Sequence, residues 1–375
     1  MKLLHLSDLH IGKIVNEMNM LDDQRYILNQ ILDIVKSEKP TAVLIAGDVY
    51  DKAVPSAEAV EVYDEFITAL ANEKTQVHII SGNHDSPERL GCCSKLISSN
   101  RVYIDGVFSG KAVKYILQDE NESVNIYTLP FIKPANVRAY YKDEEINSYT
   151  QAVKVVLDNS DINPEQLNIL VAHQFVTNGG EMVRTDSEAT SVGGIDNVNA
   201  DVFDSFNYVA LGHLHAKQNI ENRIVYCGSP LKYSKSECRN KKSIIMLEIA
   251  NGEISTTEIP LKPLRDMRVV KGELKELTEN PVGNTDDYIF AELTDENEPL
   301  DAIGHLRSVY PNIMGMIYNN KRTAQSADVR LKAMGAKSSV QLFEEFYKLQ
   351  NGDDLSTEQK EIVCNILKEL EGDSL

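Results

Sequence analysis

The stretch TAVLIAGDVYD (residues 41–51) joins an apolar run of strand length directly to a glycine and an acid. Two similar runs lie on either side of it along the chain, at Leu3–Leu6 and Val77–Ser81, and each is also followed by polar residues. The segments between these runs have apolar residues at three- and four-residue spacing, as amphipathic helices do. These segments are Leu21–Lys36 and Ser56–Leu70. This strand–helix–strand alternation predicts a layered α/β domain.

Further runs of strand length follow without long helices between them, which predicts a mixed sheet or a two-sheet sandwich. They are Ile126–Leu129, Ile169–Ala172, Tyr208–Leu211, Ile224–Tyr226 and Ile244–Ile249. A proline-rich stretch at residues 260–265 predicts a domain boundary. We therefore expect a large domain over residues 1–262, a small α+β domain over 263–335 and a helix pair over 336–375.

Composition limits the possible functions of the 375-residue chain. The formal net charge is −19 and the pI is near 4.9, which argues against a broad basic surface for nucleic acid. A local basic patch stays possible, because charges act over a Debye length of roughly 8–10 Å. No apolar run reaches the ~20 residues of a membrane span. Five scattered cysteines and an early acid, Asp8, predict a cytoplasmic protein without a signal peptide.

Metal-ligating residue types follow five of the predicted strands. The motifs are Asp8-Leu9-His10, Gly47-Asp48-Val49-Tyr50-Asp51, Gly82-Asn83-His84-Asp85, a lone His173, and Gly212-His213-Leu214-His215. Because ligands collect at the carboxyl ends of strands in open α/β sheets, this ordered set predicts a metal site. Each motif alone has a plainer interpretation, such as a surface turn or a structural histidine. His5 and His78 are interpreted as core residues or as supports of the metal ligands.

The spacing of these residues suits two cations. Residues i and i+2 of an extended segment point the same way, so Asp8 and His10 can reach one ion. The carboxylate of Asp48 can bridge two ions, and the amide of Asn83 adds a neutral ligand. A nitrogen and oxygen ligand set without thiolate favours Mn²⁺, Fe or Zn²⁺. Two such ions can clamp a phosphate and activate water.

In this order the motifs resemble the calcineurin-like metallophosphoesterase superfamily, a layered sandwich of two mixed sheets flanked by helices with a small capping domain. The complete set of motifs, together with Gly228-Ser229-Pro230-Leu231, resembles the Mre-type branch of this superfamily, which contains double-strand-break nucleases. The resemblance implies that Asp8, His10, Asp48 and His215 hold one metal and that Asp48, Asn83, His173 and His213 hold the other, with manganese as the preferred ion. It also implies that His84 is the catalytic histidine and that Asp85 orients His84 or its loop. Some relatives have a histidine where this chain has Asp51, so we expect Asp51 to act by orienting other residues.

The resemblance further implies hydrolysis of DNA phosphodiesters, by 3′–5′ exonuclease action on duplexes and endonuclease action on single strands and hairpins, in DNA repair, recombination and replication. The implied partners are DNA, an SbcC-type ATPase with a long coiled coil, and a second copy of the chain within a heterotetramer. A stripe on Ser56–Leu70, or a helix near Leu90–Ile97, could supply the dimer contact or could be core. Lys13, Ser229, Lys232 and Lys235 are expected either to contact substrate or to support the metal ligands, although exposed lysines are also usual on any surface.

The C-terminal residues have two helical apolar stripes. A Ser356 and Gln359 pair predicts a capping box at the start of the second helix. We expect the large apolar side chains to bind the ATPase, or else to pack on the protein itself. These side chains are Phe343, Phe346, Ile362, Ile366 and Leu370.

Two other functions stay open on sequence grounds. One is a phosphomonoesterase or cyclic-nucleotide phosphodiesterase on the same metal core, since fold alone does not determine function. The other is a non-catalytic regulatory subunit of an ATPase, which would predict gaps in the ligand set.

Overall fold

The computed structural model describes residues 1–179, 182, 184–188, 196–320, 339–351, 354–360 and 362–363. The described residues divide into two compact units. The first contains Met1–Val269, Asn284–Phe290 and Tyr310–Gly315, and the second contains Val270–Gly283, Ala291–Val309 and the described part of Met316–Leu375.

The strands are β1 (Lys2–Leu6), β2 (Ile14–Val15), β3 (Met18–Asn19), β4 (Ala42–Ala46), β5 (Gln76–Ile80), β6 (Val102–Asp105), β7 (Val113–Gln118), β8 (Ser123–Leu129), β9 (Asn168–His173), β10 (Phe175–Thr177), β11 (Asn197–Asn199), β12 (Tyr208–Gly212), β13 (Gln218–Glu221), β14 (Ile224–Tyr226), β15 (Ser243–Ala250), β16 (Glu253–Pro260), β17 (Met267–Gly272), β18 (Tyr288–Leu293) and β19 (Ile313–Tyr318). The α-helices are α1 (Leu21–Glu38), α2 (Ala57–Asn72), α3 (Pro87–Leu90), α4 (Ser94–Ile97), α5 (Pro134–Arg138), α6 (Tyr149–Asp158), α7 (Leu274–Glu279), α8 (Ala302–Val309) and α9 (Ser339–Asn351).

Two six-stranded mixed sheets form the body of the first unit. The first sheet has the order β16-β15-β1-β4-β5-β6, with β1, β4, β5 and β6 parallel and β15 antiparallel to β1. The second has the order β13-β14-β12-β9-β8-β7, with antiparallel edge strands β7 and β13. The parallel strands are almost continuously apolar because both of their faces are covered.

Alternation along β1 shows how the sheets are packed. Leu3 belongs to a buried cluster that also contains Ile169 and Ala210 of the second sheet, so this face lies between the sheets. Leu4 and Leu6 point to the opposite face, where they pack with residues of α1 and α2. A third cluster packs α6 on the outer face of the second sheet. The predicted two-sheet sandwich flanked by helices is therefore confirmed.

The first two helices follow the predicted pattern closely. The Oγ of Ser56 accepts a hydrogen bond from the backbone N–H of Ala59, which caps α2 as its sequence suggests. Ile67 and Leu70 of the predicted α2 stripe are core residues, whereas Val60 is exposed. The single helix expected near Leu90–Ile97 is wrong: Cys93 has a left-handed backbone (φ 61°) and separates α3 from α4.

The strands β17, β18 and β19 form a three-stranded sheet in that order. These strands lie within residues 263–335, the range expected for the small α+β domain. At the C-terminus, the backbone N–H of Ser356 donates to Oε1 of Gln359 and that of Gln359 donates to Oγ of Ser356, which confirms the predicted capping box. None of the helices in the described part of the chain has the length and apolar character of a membrane span.

Candidate metal centre

Strands of both sheets deliver polar side chains to one place. Asp8 follows β1, Asp48 follows β4 and Asn83 follows β5 in the first sheet. In the second sheet His173 ends β9 and His213 follows β12. Because the parallel strands run in one direction within each sheet, their carboxyl ends bring these side chains together.

Unusual backbone conformations aim several of these side chains. Asp8, His10, Asp48 and His213 have φ values of 52°, 45°, 49° and 102°, a region that residues other than glycine seldom adopt. Two loop-to-loop hydrogen bonds hold this geometry, from the N–H of Asp8 to the carbonyl of Gly47 and from the N–H of His10 to the carbonyl of Asp48. Strain of this kind persists where the surrounding structure fixes the backbone, and it concentrates at functional sites.

Close approach explains two of the motif glycines. A Cβ at Gly82 would lie 2.1 Å from Oδ1 of Asp48, and one at Gly212 would lie 2.0 Å from the carbonyl oxygen of Ala46. Any side chain at either position would therefore displace a loop of the site.

One group of donors gathers around His10. Its Nε2 atom lies 3.0 Å from Nε2 of His215 and 3.6 Å from Oδ2 of Asp48. Ligand atoms of Asp8, His10 and His215 all lie within 4.8 Å of one another.

A second group gathers around Asn83. Its Oδ1 atom lies 3.0 Å from Nε2 of His173 and 2.9 Å from Nδ1 of His213. Oδ2 of Asp48 is 3.4 Å from Nε2 of His173, so the Asp48 carboxylate lies between the two groups.

The chemistry of these donors fits divalent cations. Oδ2 of Asp8 is buried and has no hydrogen-bond partner among the described residues, an arrangement that is costly unless a ligand completes it. Burial lowers the pKa of His10, and it lowers the pKa of His213 to about 3 and of His215 to about 4, so these rings stay neutral, the form that binds metal.

The pKa of His173 shifts in the opposite direction. Burial alone lowers its pKa, but the nearby Asp48 carboxylate outweighs burial and raises the pKa of His173 to about 9. The site therefore attracts positive charge at this point, which is what a bound cation supplies. Nδ1 of His173 donates to the carbonyl of Ala46, which directs Nε2 toward Asp48 and Asn83.

His84 lies beside the donors and is partly exposed. Its backbone N–H donates to Oδ1 of Asp48 at 2.9 Å, and its ring stands edge-on to His10 with centroids 4.8 Å apart. Nδ1 of His84 lies 2.9 Å from the carbonyl oxygen of Asp51. Because a carbonyl only accepts, Nδ1 carries a hydrogen and Nε2 is the atom that can exchange a proton.

Asp85 holds loops of the site in place. Its carboxylate accepts hydrogen bonds from the backbone N–H groups of Val49, Tyr50 and Gly82 at 2.8–3.1 Å. This geometry agrees with an orienting role of Asp85 toward the loop. None of these three hydrogen bonds involves the ring of His84.

The comparisons with known proteins agree with this geometry. The family model for calcineurin-like phosphoesterases matches residues 1–217. A second model, SbcD_C, described as the type 5 capsule protein repressor C-terminal domain, matches residues 263–351. The SbcD subunit of the nuclease SbcCD from Staphylococcus epidermidis is 33% identical over 380 residues, which span 98% of each chain. The chain belongs to the SbcD family of nuclease subunits, within the calcineurin-like phosphoesterases.

Two solved structures resemble this SbcD-family chain more distantly. A dimetal phosphatase from Danio rerio is 11% identical and covers 70% of this chain and 98% of its own, with a TM-score of 0.41. A protein of Thermus thermophilus is 10% identical and covers 68% of this chain and 98% of its own, with a TM-score of 0.38.

Two residues of this SbcD-family chain that were expected to contact substrate or to support the metal ligands are engaged inside the protein. Ser229 is 1% exposed and donates to the carbonyl of Leu231. Lys232 donates to the carbonyls of Cys238 and Met267 and pairs with Asp266. Nζ of Lys242 donates both to Oγ of Ser229 and to the carbonyl of His215, so Ser229 lies among the residues that support this metal-binding histidine. A role of Lys232 toward substrate or the metal ligands stays a prediction.

The other two residues for which these roles were expected, Lys13 and Lys235, line a groove beside the centre. Lys13 pairs with Oδ1 of Asp51 at 2.7 Å, and Asp51 lies 3.5 Å from Nδ1 of His10. Although burial alone would raise it, hydrogen bonds with His10 and Lys13 lower the pKa of Asp51 to about 2. Lys13 and Lys235 line the groove together with Asn16.

Sequence reasoning missed the residues behind His215. Oγ of Ser187 lies 2.8 Å from Nδ1 of His215 and donates to Oε1 of Glu237 at 2.6 Å. Oε1 of Glu188 accepts from the backbone N–H of His215 at 2.7 Å. Ser187, Glu188 and Glu237 belong to no recognisable sequence motif. The basic pair that follows Glu237 and includes Lys242 is a nearby signal for an ion pair.

The expected docking residues show the exposure that a binding surface needs. The exposed fractions of Phe343, Phe346 and Ile362 are 40%, 59% and 58%. Ile366 and Leu370 lie outside the described residues.

Proposed function

We propose that this chain is the metal-dependent nuclease subunit of an SbcCD-type complex and that it hydrolyses DNA phosphodiesters with two divalent cations. The observation that carries the proposal is the Asp48 carboxylate, which lies between two groups of nitrogen and oxygen donors. Membership of the SbcD family supports DNA as the substrate class.

Asp8, His10, Asp48 and His215 would hold one ion, and Asp48, Asn83, His173 and His213 would hold the other. Manganese is the metal we propose, because the set offers carboxylate, amide and imidazole ligands and no thiolate. When bound, two such ions polarise the phosphate and supply a water of lowered pKa.

His84 is the proposed acid. Its Nδ1–H stays bonded to the carbonyl of Asp51, which orients the ring, and Nε2 gives a proton to the departing sugar oxygen. His84 is partly exposed, as a group that meets a substrate must be. Asp85 acts indirectly, by fixing the loops that carry Asp48 and Asn83.

The finer activities are 3′–5′ exonuclease action on duplex ends and endonuclease action on single strands and hairpins, serving DNA repair, recombination and replication in the cytoplasm. ATP dependence would come from an SbcC-type coiled-coil ATPase, the partner that the name of the Staphylococcus relative supports. An acidic chain with net charge −19 gains from a partner that shares the DNA contact.

The proposed organisation assigns the metal centre to residues 1–262, a capping role on DNA to 263–335 and ATPase docking to 336–375. The exposed Phe343 and Phe346 on α9, with ring centroids 6.4 Å apart, support the docking assignment. A homodimer within a heterotetramer completes the proposal.

The test compares a hairpin oligonucleotide with p-nitrophenyl phosphate, a monoester, in the presence of Mn²⁺. The purified wild-type chain should cleave the oligonucleotide, and Asp48→Asn should not. Asp64→Asn, an exposed acid on α2, is the matched control and should keep full activity. Cleavage of the monoester alone would favour a phosphomonoesterase, and no cleavage of either would favour a regulatory subunit.

A further inference from the structure

A recess with aromatic walls adjoins the metal centre on the Asn83 side. It has a volume of about 190 Å³ and is formed entirely within the first unit. Its lining includes Asn83 and His213 of the centre, together with three aromatic rings. The rings are those of Phe131, Tyr149 and Phe175.

Two of the aromatic rings lie next to histidines of the metal centre. The ring of Phe131 stands edge-on to His173, with centroids 6.3 Å apart and planes at 84°. The ring of Phe175 lies 6.2 Å from that of His213. A flat group in the recess would therefore lie directly beside a phosphate held at the centre.

The backbone fixes the recess relative to the centre. The N–H of Phe131 donates to the carbonyl of Ser81 at 2.9 Å, on the segment that leads to Asn83. Phe175 follows His173 by two residues and begins β10, which pairs with β11. Rings held in this way are preorganised for a ligand.

Charge and exposure show what kind of ligand suits the recess. Phe131 and Tyr149 are both partly exposed, and the exposed Lys133 also lines the recess. The guanidinium of Arg184 stacks on the ring of Phe175, with Cζ 3.6 Å from its centroid. Arg184 also lies 3.9 Å from Oδ1 of Asp196, a carboxylate that lines the recess and whose charge it balances. Aromatic faces with cations at their margin suit a nucleobase attached to a phosphate backbone.

We propose that this recess accepts an unpaired nucleobase next to the scissile phosphate and that Phe131 stacks on it. The inference rests on the proposed nuclease function and deepens it. A base must leave its duplex partner to enter, which requires unstacking and unpairing, so the recess favours single strands, frayed ends and hairpin loops. Stacking tolerates every base, because each has an aromatic face.

The test pairs a protein change with a substrate change. Phe131→Leu keeps an apolar side chain and removes the ring, while an abasic site, moved along a single-stranded oligonucleotide, removes one base at a time. Binding is measured on the full-length chain in EDTA, and cleavage is measured with Mn²⁺. At one abasic position, wild type should lose about 5- to 150-fold in binding, the range of one stacked base.

Phe131→Leu should bind the intact oligonucleotide more weakly by the same factor and should then be insensitive to that abasic site. Phe131→Tyr, which keeps the ring, should behave like wild type, and Tyr26→Leu, at an exposed aromatic of α1, should change nothing. A 2-aminopurine at the sensitive position should lose fluorescence on wild type and not on Phe131→Leu.

The losses in binding caused by Phe131→Leu and by the abasic site could instead be additive at every position. That result would overturn the recess assignment and leave the nuclease proposal intact. Failure of the wild-type chain to cleave any oligonucleotide would overturn the proposed function, and the recess assignment with it.

Discussion

The ammonium nitrogen of Lys242 lies 2.5 Å from Oε2 of Glu237, and this buried ion pair stands directly behind His215. Lys242 also donates to the carbonyl of His215 at 2.9 Å. Burial alone would raise the pKa of Glu237, but Lys242 and His215 outweigh burial and lower it, so the carboxylate stays ionised. Through Ser187, this carboxylate favours a hydrogen on Nδ1 of His215 and leaves Nε2 unprotonated for a cation.

Glu237→Gln should weaken Mn²⁺ binding by about 10- to 100-fold, the usual effect of removing a group that orients a metal-binding histidine. Isothermal titration with Mn²⁺ measures it. Because the single change leaves Lys242 buried without a counterion, Glu237→Gln with Lys242→Met should recover stability but not affinity. Glu258→Gln, at an exposed ion pair, is the matched control. Unchanged affinity in the double variant would contradict the orienting role.

His84→Ala should keep its metal content and lose about 10²- to 10⁴-fold in turnover, because His84 is assigned to proton transfer. A ring nitrogen of His84 also lies within 4.8 Å of ligand atoms of His10 and Asp48. The measurement therefore decides whether His84 transfers a proton or binds the metal. Metal content by mass spectrometry is compared with turnover, and His305→Ala, at an exposed histidine of α8, serves as control. Metal loss in proportion to activity would make His84 a ligand.

Gly82→Ala should abolish nuclease activity and reduce metal binding. The new Cβ would lie 2.1 Å from Oδ1 and 2.4 Å from the backbone N of Asp48, so the loop that carries Asp48 must move. Gly315→Ala is the control, because its Cβ would meet nothing nearer than 3.8 Å. Full activity of Gly82→Ala at wild-type metal content would show that the position of Asp48 is less critical than the account requires.

Several features of this centre follow from the sequence because they depend on strand order. The carboxyl ends of parallel strands meet at one edge, so Asp8, Asp48 and Asn83 could be placed together without coordinates. The α1 and α2 helices were predictable for a similar reason, since their apolar spacing repeats over several turns.

Contacts between distant segments could not be predicted in this way. Glu237 reaches His215 through Ser187, which is 50 residues away in the chain, and neither residue belongs to a motif. Lys232 is expected at the surface because lysine usually lies there. It becomes internal only because Asp266 and two carbonyl groups surround it. Such assignments depend on tertiary packing, which a single sequence does not display.

His78→Phe should stabilise the protein, and more so in acid. The ring of His78 stacks on Tyr103, and among the described residues neither of its buried nitrogens has a hydrogen-bond partner. Burial lowers the pKa of His78 to about 3. The unfolded chain, with a pKa near 6.5, therefore binds more protons below that pH, and stability falls as pH drops from 6.5 toward 3.

Between pH 7 and pH 5 the wild type should lose about 2 kcal/mol more free energy of unfolding than His78→Phe. Urea unfolding at both pH values measures the difference, and His305→Phe is the exposed control. Equal pH dependence of the wild type and His78→Phe would mean that His78 is charged or solvated in the folded protein.

Phe346→Asp should prevent co-purification with an SbcC-type ATPase while leaving the fold and the cleavage of free oligonucleotides unchanged. The side chain is 59% exposed, and a buried charge at a docking surface is strongly unfavourable. Leu300→Asp, at a 91% exposed apolar residue, is the control. Retained co-purification of Phe346→Asp, with wild-type affinity, would show that the ATPase binds elsewhere.

The central claim is that Asp48 joins two cation sites. Anomalous diffraction from crystals of the wild-type chain soaked in Mn²⁺ tests it most directly. We predict two peaks roughly 3.5–4 Å apart, one contacting Asp8, His10 and His215, the other contacting Asn83, His173 and His213, with Asp48 contacting both. A single peak, or two peaks of which only one touches Asp48, would contradict the claim.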